Sequence, residues 1–562
     1  MCSSRHVLRC RGLLFSHQNR MTSTISAPEL KWIRQVTPPS GIVVGLCRTA
    51  LCVAATLLHV YPWLFEDGTW IGCLGIGLTL HLAASSSFFA LWLCVMGAIA
   101  IAFCWSPAAM AHAMSTNDWV GLIVVIPLVA WDAFRAALGY WLAARITRDA
   151  RWMWFAAASV AITLEYVVPS TFPWRIGNAM LSTPSWIQAT DIFGPSYPTF
   201  VAFLCGGTLH VCLDWLKNLH VARKSATQPG HPQQLISLRR LACLPAVWLL
   251  AINYAYGLYS ERVIRQALST APKVRIGLVQ FDPTFKNGII EARRLTASVC
   301  DSVDFVCWPE STAGTLERDL DCLSDERKLF EKSREPGRGI RPWPNPSTEL
   351  LFAGKTYIRN NALDTVKVTA MLVDRDETIV DRYDKRFLMP FGEYVPGENL
   401  IPALSQFFDL EDRIDRGTRI SPAKSASGAR IGVMLCFEDM VPQAAREMTG
   451  GGANVLIALI NASQFDSPIT LYQHRLLAQT RAIECRRYLL RCAATGETCV
   501  INPLGEIESR LPIQTNDAMV ADVSLLTSRS IYSRVPIVMP LCLLAFFTAV
   551  GLNTLFRRGQ RN

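Results

Sequence analysis

Two hydrophobic textures divide the chain. From Gly41 the apolar residues come in long runs, at 41–64, 69–84, 87–104, 119–143, 152–169, 197–216 and 240–258, with one more at 536–556. A helix needs about 20 apolar residues to cross a ~30 Å hydrocarbon core, and most of these runs approach that length. The pattern predicts a polytopic α-helical membrane domain over 41–260, with about seven transmembrane helices, and a C-terminal transmembrane helix over 536–556. The second and third runs are joined only by Ser85 and Ser86, which leaves their boundary open.

From about Lys273 the texture changes to short apolar runs, at 274–281, 303–308, 350–357, 366–374, 430–436, 455–460, 488–493 and 519–523. Runs of this length bounded by turn residues predict strands. Between the last of them, 471–486 predicts a helix with Leu471, Leu476, Leu477 and Ile483 near one face. Strands with intervening helices predict two sheets with helices packed outside, an α/β domain over 273–530. Gly450-Gly451-Gly452 reads as a turn, because no Lys-Ser or Lys-Thr follows to make a phosphate loop. The acidic, Arg-rich 316–341 and the Pro-rich 341–346 read as exposed loop.

Composition agrees with the first texture. The 562 residues are 51% hydrophobic and only 18% charged, too apolar for an ordinary soluble enzyme. A formal charge of +10 would suit nucleic acid, but the basic residues sit beside apolar runs, where they set membrane orientation, so no nucleic-acid partner is expected. Residues 1–40 hold Arg5, Arg9, Arg11, Arg20, Lys31 and Arg34 without an apolar run long enough for a signal peptide. They read as a basic, disordered cytoplasmic leader, with Met21 left open as the start and Cys2 lacking the apolar segment that lipidation requires. Arg145, Arg148 and Arg151, the loop 217–240, and Arg557, Arg558 and Arg561 in the tail 557–562 are basic as well, whereas 65–68 and 106–118 lack Lys and Arg. With the positive loops inside, eight spans put both termini in the cytoplasm and 259–535 outside it. Arg48, Asp132, Arg135 and Glu165 fall within or beside spans, where charge is costly and marks function by default; Asp132 and Arg135, three apart, also have the spacing to pair on one helical face.

Candidate chemistry concentrates at Arg430-Ile431-Gly432-Val433-Met434-Leu435-Cys436-Phe437-Glu438, where a buried strand ends on a cysteine. Thiol chemistry needs a thiolate, hence a base for its proton and a cation for developing negative charge. Two other strand ends carry them: 304–309 leads into Glu310, and 379–384 leads into Lys385. Trp308-Pro309-Glu310-Ser311, Tyr383-Asp384-Lys385-Arg386 and Cys436-Phe437-Glu438, separated by 75 and 51 residues, resemble the Glu-Lys-Cys signature of the nitrilase (carbon-nitrogen hydrolase) superfamily. That resemblance implies an αββα sandwich for 273–530.

Two further segments resemble the bacterial apolipoprotein N-acyltransferase family. One runs from Glu165-Tyr166 through Phe172-Pro173-Trp174 and Gly177 to Gln188-Ala189-Thr190-Asp191 and Gly194; the other is Pro390-Phe391-Gly392-Glu393-Tyr394-Val395-Pro396 after Lys385. The resemblance implies a multi-pass enzyme of the bacterial inner (cytoplasmic) membrane with its catalytic domain on the periplasmic side. Glu310 is implied as general base, Lys385 as oxyanion donor, Cys436 as nucleophile and Glu393 as a second active-site glutamate. Phe437 and Glu438 match positions where an aromatic and a glutamate are usual; Glu438 then positions Lys385 or the incoming amine, or forms a supporting salt bridge. The implied partners are a phospholipid acyl donor, a diacylated apolipoprotein acceptor and membrane lipids. The implied two-step order uses a Cys thioester and needs no cofactor or metal.

The chain departs from that family at Asn461-Ala462-Ser463-Gln464-Phe465, where a Trp is usual, at Val279-Gln280-Phe281-Asp282-Pro283, and at Arg386-Phe387-Leu388-Met389. These departures keep open a membrane-tethered nitrilase-type amidase or hydrolase with another acceptor. Cys300, Cys307, Cys322, Cys485, Cys492 and Cys499 accompany Cys436 outside the cytoplasm, an even six with no pairing legible, and no Cys/His spacing fits zinc.

Overall fold

The computed structural model describes residues 41–559 apart from 115, 148–149, 171, 226–244, 283–287, 313–314, 320–347, 360–364, 376–377, 405–407, 409–412, 464 and 466. The leader, the loop 217–240 beyond Ser225, most of 316–346, Cys322 and Gln464 therefore lie outside the described residues. By internal packing the chain forms two units, Met1–Thr49 and Ala50–Asn562. In the first, Arg48 is exposed on its helix.

Nine helices precede the strands among the described residues: α1 (Gly41–Leu64), α2 (Thr69–Ala83), α3 (Phe88–Ala102), α4 (Ser106–Ala113), α5 (Asp118–Ile146), α6 (Ala150–Val167), α7 (Thr190–Phe193), α8 (Tyr197–Ser225) and α9 (Pro245–Thr270). By length and composition α5 is long and apolar enough to cross a membrane, and α3 joined to 106–112 across a 59° bend makes a second such segment. Helix α4 occupies a stretch expected to be loop. Pro107 in its first turn supplies the preset φ and missing N–H that suit a helix start, and α4 packs on α5. Helices α2 and α8 touch backbone to backbone: a Cβ on Gly77 would lie 2.4 Å from the Gly206 carbonyl oxygen. Asp132 and Arg135 pair at 3.2 Å, and Glu165 accepts from Arg175 at 3.1 Å and from Thr199 at 2.7 Å, so these buried charges are matched.

Thirteen strands follow among the described residues: β1 (Lys273–Gln280), β2 (Phe305–Cys307), β3 (Thr315–Asp319), β4 (Glu349–Arg359), β5 (Thr365–Val373), β6 (Ile379–Asp384), β7 (Ala423–Lys424), β8 (Arg430–Leu435), β9 (Val455–Asn461), β10 (Leu489–Ala494), β11 (Cys499–Ile501), β12 (Ile507–Arg510) and β13 (Asp517–Ser524). One sheet runs β13-β1-β2-β4-β5-β6 with β3 on β4; the other runs β12-β11-β10-β9-β8-β7. Strands β8, β9 and β10 are parallel and covered on both faces, which is why 455–460 reads as an unbroken apolar run.

Alternation decides which side each residue serves. On β4, Leu351 and Ala353 join the core between the sheets, whereas Leu350 and Phe352 join an outer cluster with Ala292, Leu295 and Val299 of α10 (Gly288–Val299). Helices α11 (Pro442–Gly450) and α12 (Pro468–Cys485) supply Ala444, Met448, Leu471 and Ala478 to the same apolar cluster beside the second sheet, completing a two-sheet α/β sandwich. Gly432 permits the close approach of α11 to β8, since a Cβ there would meet Met448 Cβ at 2.9 Å. After β13 come α13 (Ile531–Arg534) and α14 (Val538–Gly559). Every described cysteine is a free thiol, including Cys300, Cys307, Cys485, Cys492 and Cys499.

Helix α12 joins sandwich to helices. Fifteen of its 18 residues are buried, more than a one-faced amphipathic helix would bury. Tyr472 donates to the Pro62 and Phe65 carbonyls, and Gln473 donates to those of Trp63 and Ala102. Arg475 pairs with Glu66 and Glu497, while Leu476, Leu477 and Ile483 pack into the core of the helical part. The helix ends on Arg486 with φ +52°, and from there the guanidinium reaches Gln188, Asp191 and Ser260.

Candidate active site

Three strand ends converge. Beyond β2, Trp308 is pinned by its amide to the Leu351 carbonyl and by its ring N–H to Thr296, so Glu310 leaves the sheet in a fixed direction. Beyond β6, the Lys385 amide donates to the Val368 carbonyl at 2.9 Å. Beyond β8, Cys436 opens a single turn of 3₁₀ helix, Cys436–Met440. Cys436 takes φ +45° and Ser311, next to Glu310, takes +64°. Both are left-handed non-glycine positions, the kind of local strain that persists where surrounding packing over-determines a site.

The side chains meet in a buried cluster. Lys385 Nζ lies 3.3 Å from Glu310 Oε1 and 2.6 Å from Glu393 Oε1. Glu393 is held in turn by the Met389 amide at 2.8 Å. Burial pushes the Glu310 carboxyl above the usual carboxylate range, against the pull of Lys385 and a hydrogen bond with Cys436. Burial works against the Lys385 ammonium, yet Glu310, Glu393 and Cys436 around it hold its pKa well above that of a free lysine. The Cys436 thiol is pushed up, first by burial and then by Glu310, with Lys385 opposing. The Cys436 sulfhydryl is placed to donate to the Asn461 carbonyl at 3.7 Å, with the Glu310 carboxyl and the Lys385 ammonium in the same buried cluster.

The two residues after Cys436 do different things. Phe437 lines the cleft beside Phe172, 6.3 Å between ring centroids. Glu438 is fully buried, and the Lys385 ammonium pairs with Glu310 and Glu393 instead. Glu438 accepts from the Tyr383 hydroxyl and from the amides of Arg386, Phe387 and Leu435, tying the chain after Lys385 to the end of β8. These hydrogen bonds make it a clamp between two strand ends.

Sequence reasoning missed a second charged cluster. Asp439, on the same turn as Cys436, is fully buried between His474 Nε2 at 2.8 Å and Arg491 Nε at 2.9 Å. Burial opposes its ionised form, but His474 and Arg491 keep its pKa below the ordinary value. The available signal was the run Tyr472-Gln473-His474-Arg475, polar residues on a helix otherwise reading as core.

Cys436 opens into a cleft with about 1110 Å³ of empty space between sandwich and helices. Its helical wall is aromatic and apolar: Trp105, Met110, Val125, Leu128, Phe172 and Trp174. Trp174 stacks on Phe103 at 3.5 Å and on Phe172 at 4.9 Å, and this stack borders a second cavity reaching Asp132 and Arg135. Phe391, two residues before Glu393, packs with Met110, Met114 and Val125 of α4 and α5 and the residues around them. At 461–465, where the usual Trp is missing, Phe465 sits edge-on to Trp105 with 6.1 Å between ring centroids, so that side of the cleft is still aromatic.

Residues 348–532 match the carbon-nitrogen hydrolase family; Lys385, Glu393 and Cys436 fall inside the match and Glu310 precedes it. The chain is similar to "Apolipoprotein N-acyltransferase" of Geobacter metallireducens, 26% identical over 388 residues, 66% of this chain and 68% of that one. It is 33% identical to "Apolipoprotein N-acyltransferase 1" of Treponema denticola over 323 residues, 52% and 58% of the two chains. It is 25% identical to the "Apolipoprotein N-acyltransferase" of a Pseudomonas aeruginosa strain over 504 residues, 86% of this chain and 89% of that one.

Proposed function

We propose, from the chain's kinship with the apolipoprotein N-acyltransferases and its carbon-nitrogen hydrolase domain, that it moves an acyl chain from a phospholipid to the N-terminal amine of a diacylated lipoprotein. Cys436 is the nucleophile. Glu310 takes its proton, the thiolate attacks the ester carbonyl, and a C–S bond forms as the C–O bond breaks. The proton passes from Glu310 to the leaving oxygen, releasing a lysophospholipid. Lys385 donates to the oxyanion of the tetrahedral intermediate, and Glu393 keeps that ammonium in place. The acceptor amine then attacks the thioester and frees Cys436.

One observation carries the reading: the thiol lies where a charged sandwich wall meets a long apolar wall made of helices. A hydrolase of small amides has no use for the second wall, whereas an acyl chain gains about 0.8 kcal/mol for each CH₂ it buries. Large apolar side chains exposed on the helices, among them Trp119 at 76%, Ile123 at 69% and Trp248 at 63%, suit contact with lipid. The protein is accordingly read as a multi-pass protein of the bacterial inner membrane, its sandwich on the periplasmic side.

The test incubates membranes holding the protein, or its Cys436→Ala variant, with phospholipid and a diacylated lipopeptide, and weighs the peptide. A Cys436-dependent gain of one acyl chain is expected. Lysophospholipid released without that gain would replace the transferase reading by a nitrilase-type hydrolase.

A further inference from the structure

Proton accounting exposes a gap in the two-step scheme. An N-terminal amine has a pKa of about 8 and arrives at neutral pH mostly as an ammonium. Turning that ammonium and a thioester into an amide and a free thiol releases one proton overall. The nitrogen must shed one proton before it can attack and a second as the tetrahedral intermediate collapses. Glu310 can carry the second from nitrogen to the Cys436 sulfur, reversing its first task. The earlier proton needs another acceptor.

We infer that His474 is that acceptor, a second catalytic base reserved for the aminolysis half-reaction; this rests on the acyl-transfer reading. His474 lines the same cleft as Cys436. Asp439, three residues past Cys436, fixes its ring through Nε2 at 2.8 Å and is itself anchored by Arg491 at 2.9 Å. Nothing in thiol activation uses these groups: Cys436 already has Glu310 and Lys385. A carboxylate that orients an imidazole and stabilises its cation is the general arrangement for a histidine base. The charged and titratable groups around His474 are Asp439 from the sandwich, with Arg491 behind it, and Cys436 and Asp132 of α5, which line the same cleft. On α12 itself, Arg475 and Arg481 are engaged by Glu497 and Glu484. The ammonium proton moves to His474, the neutral amine forms the C–N bond, the C–S bond breaks, and His474 returns its proton to water at the cleft mouth.

The experiment uses the full-length protein in membranes and separates the half-reactions. Wild type and His474→Gln are loaded with phospholipid, the Cys436 thioester is measured by mass, and the acyl-enzyme is chased with diacylated lipopeptide or with hydroxylamine. Hydroxylamine is already uncharged at neutral pH and needs no base to free its lone pair. His474→Gln is expected to form thioester at an unchanged rate, which also shows that it is folded. It should transfer to lipopeptide roughly 100-fold more slowly, in the range of general-base effects, and to hydroxylamine at the wild-type rate. Equal slowing of both chases, a parallel loss of thioester formation, or a lipopeptide chase as fast as wild type would each overturn the inference. A wild type that forms thioester but never acylates the lipopeptide would overturn the transferase reading, and the inference with it.

Discussion

The two walls of the cleft are built on opposite principles. On the sandwich side Glu310, Lys385 and Cys436 each stand one residue or a short turn beyond a strand, in backbone pinned by the sheet and twice held in left-handed geometry. On the helical side Phe172 stacks on Trp174 and Trp174 on Phe103, with Trp105 edge-on to Phe103. Rigid sheet ends fix reacting atoms, where a small displacement is costly, while helices offer area and shape, where it is not. Substitutions should accordingly divide into those that alter the rate of bond making and those that alter which chain is held.

Cys436→Ala sets the upper limit: no thioester and no transfer, with the fold kept, checked by acyl-enzyme mass and thermal unfolding. Lys385→Met comes next. It leaves Glu310 and Glu393 without the cation between them, so a loss of about 3–5 kcal/mol in stability is expected. Thioester formation should fall by roughly 100- to 1000-fold if Lys385 is the oxyanion donor proposed above.

The pH dependence sharpens the contrast further. Burial raises the Glu310 pKa in the fold above its unfolded value, which favours the neutral carboxyl. Its contribution to stability is therefore complete below the ordinary carboxylate range and is lost as pH rises through the raised folded pKa. Thioester formation needs the carboxylate, so its rate should climb over that same window while this contribution to stability declines. Lys385→Met, by removing the cation that pulls Glu310 down, should move the rate limb to still higher pH, and a pH–rate profile of the loading step reads both.

On the other wall, Trp174→Ala should raise KM for long-chain donors about tenfold with kcat nearly kept, a loss of about 1.4 kcal/mol of binding. A short-chain ester should not feel it. The smallest effect is expected at the rim, where Glu66 is 45% exposed in its pairs with Arg475 and Arg510. Glu66→Gln should cost no more than about 1 kcal/mol by thermal unfolding and leave the chemistry alone.

What the sequence disclosed follows the same division. Cys436 and Glu310 stand out as strand-end residues because each follows an apolar run written locally, whereas Lys385 follows the largely polar β6, Ile379-Val380-Asp381-Arg382-Tyr383-Asp384, and stands out only through the motif around it. Helix α4 was not legible, because eight residues with a proline near the start look like a loop until α5 gives them a surface to cover. The clamp made by Glu438 and the His474–Asp439–Arg491 cluster were hidden for another reason. Their partners lie 35 to 55 residues apart, and no local periodicity records which buried polar group meets which. Buried polar groups find partners as a rule, but sequence spacing does not name them.

Helix α12 also bears on how the molecule comes to exist. A sandwich cut free before Lys273 would present Tyr472, Leu476, Leu477, Ile483 and Arg475 to water, where they now meet Pro62, the helical core and Glu66. The sandwich is thus unfinished as a separate object. Chain order puts the helices ahead of α12 in biosynthesis, so the residues it meets are made before it.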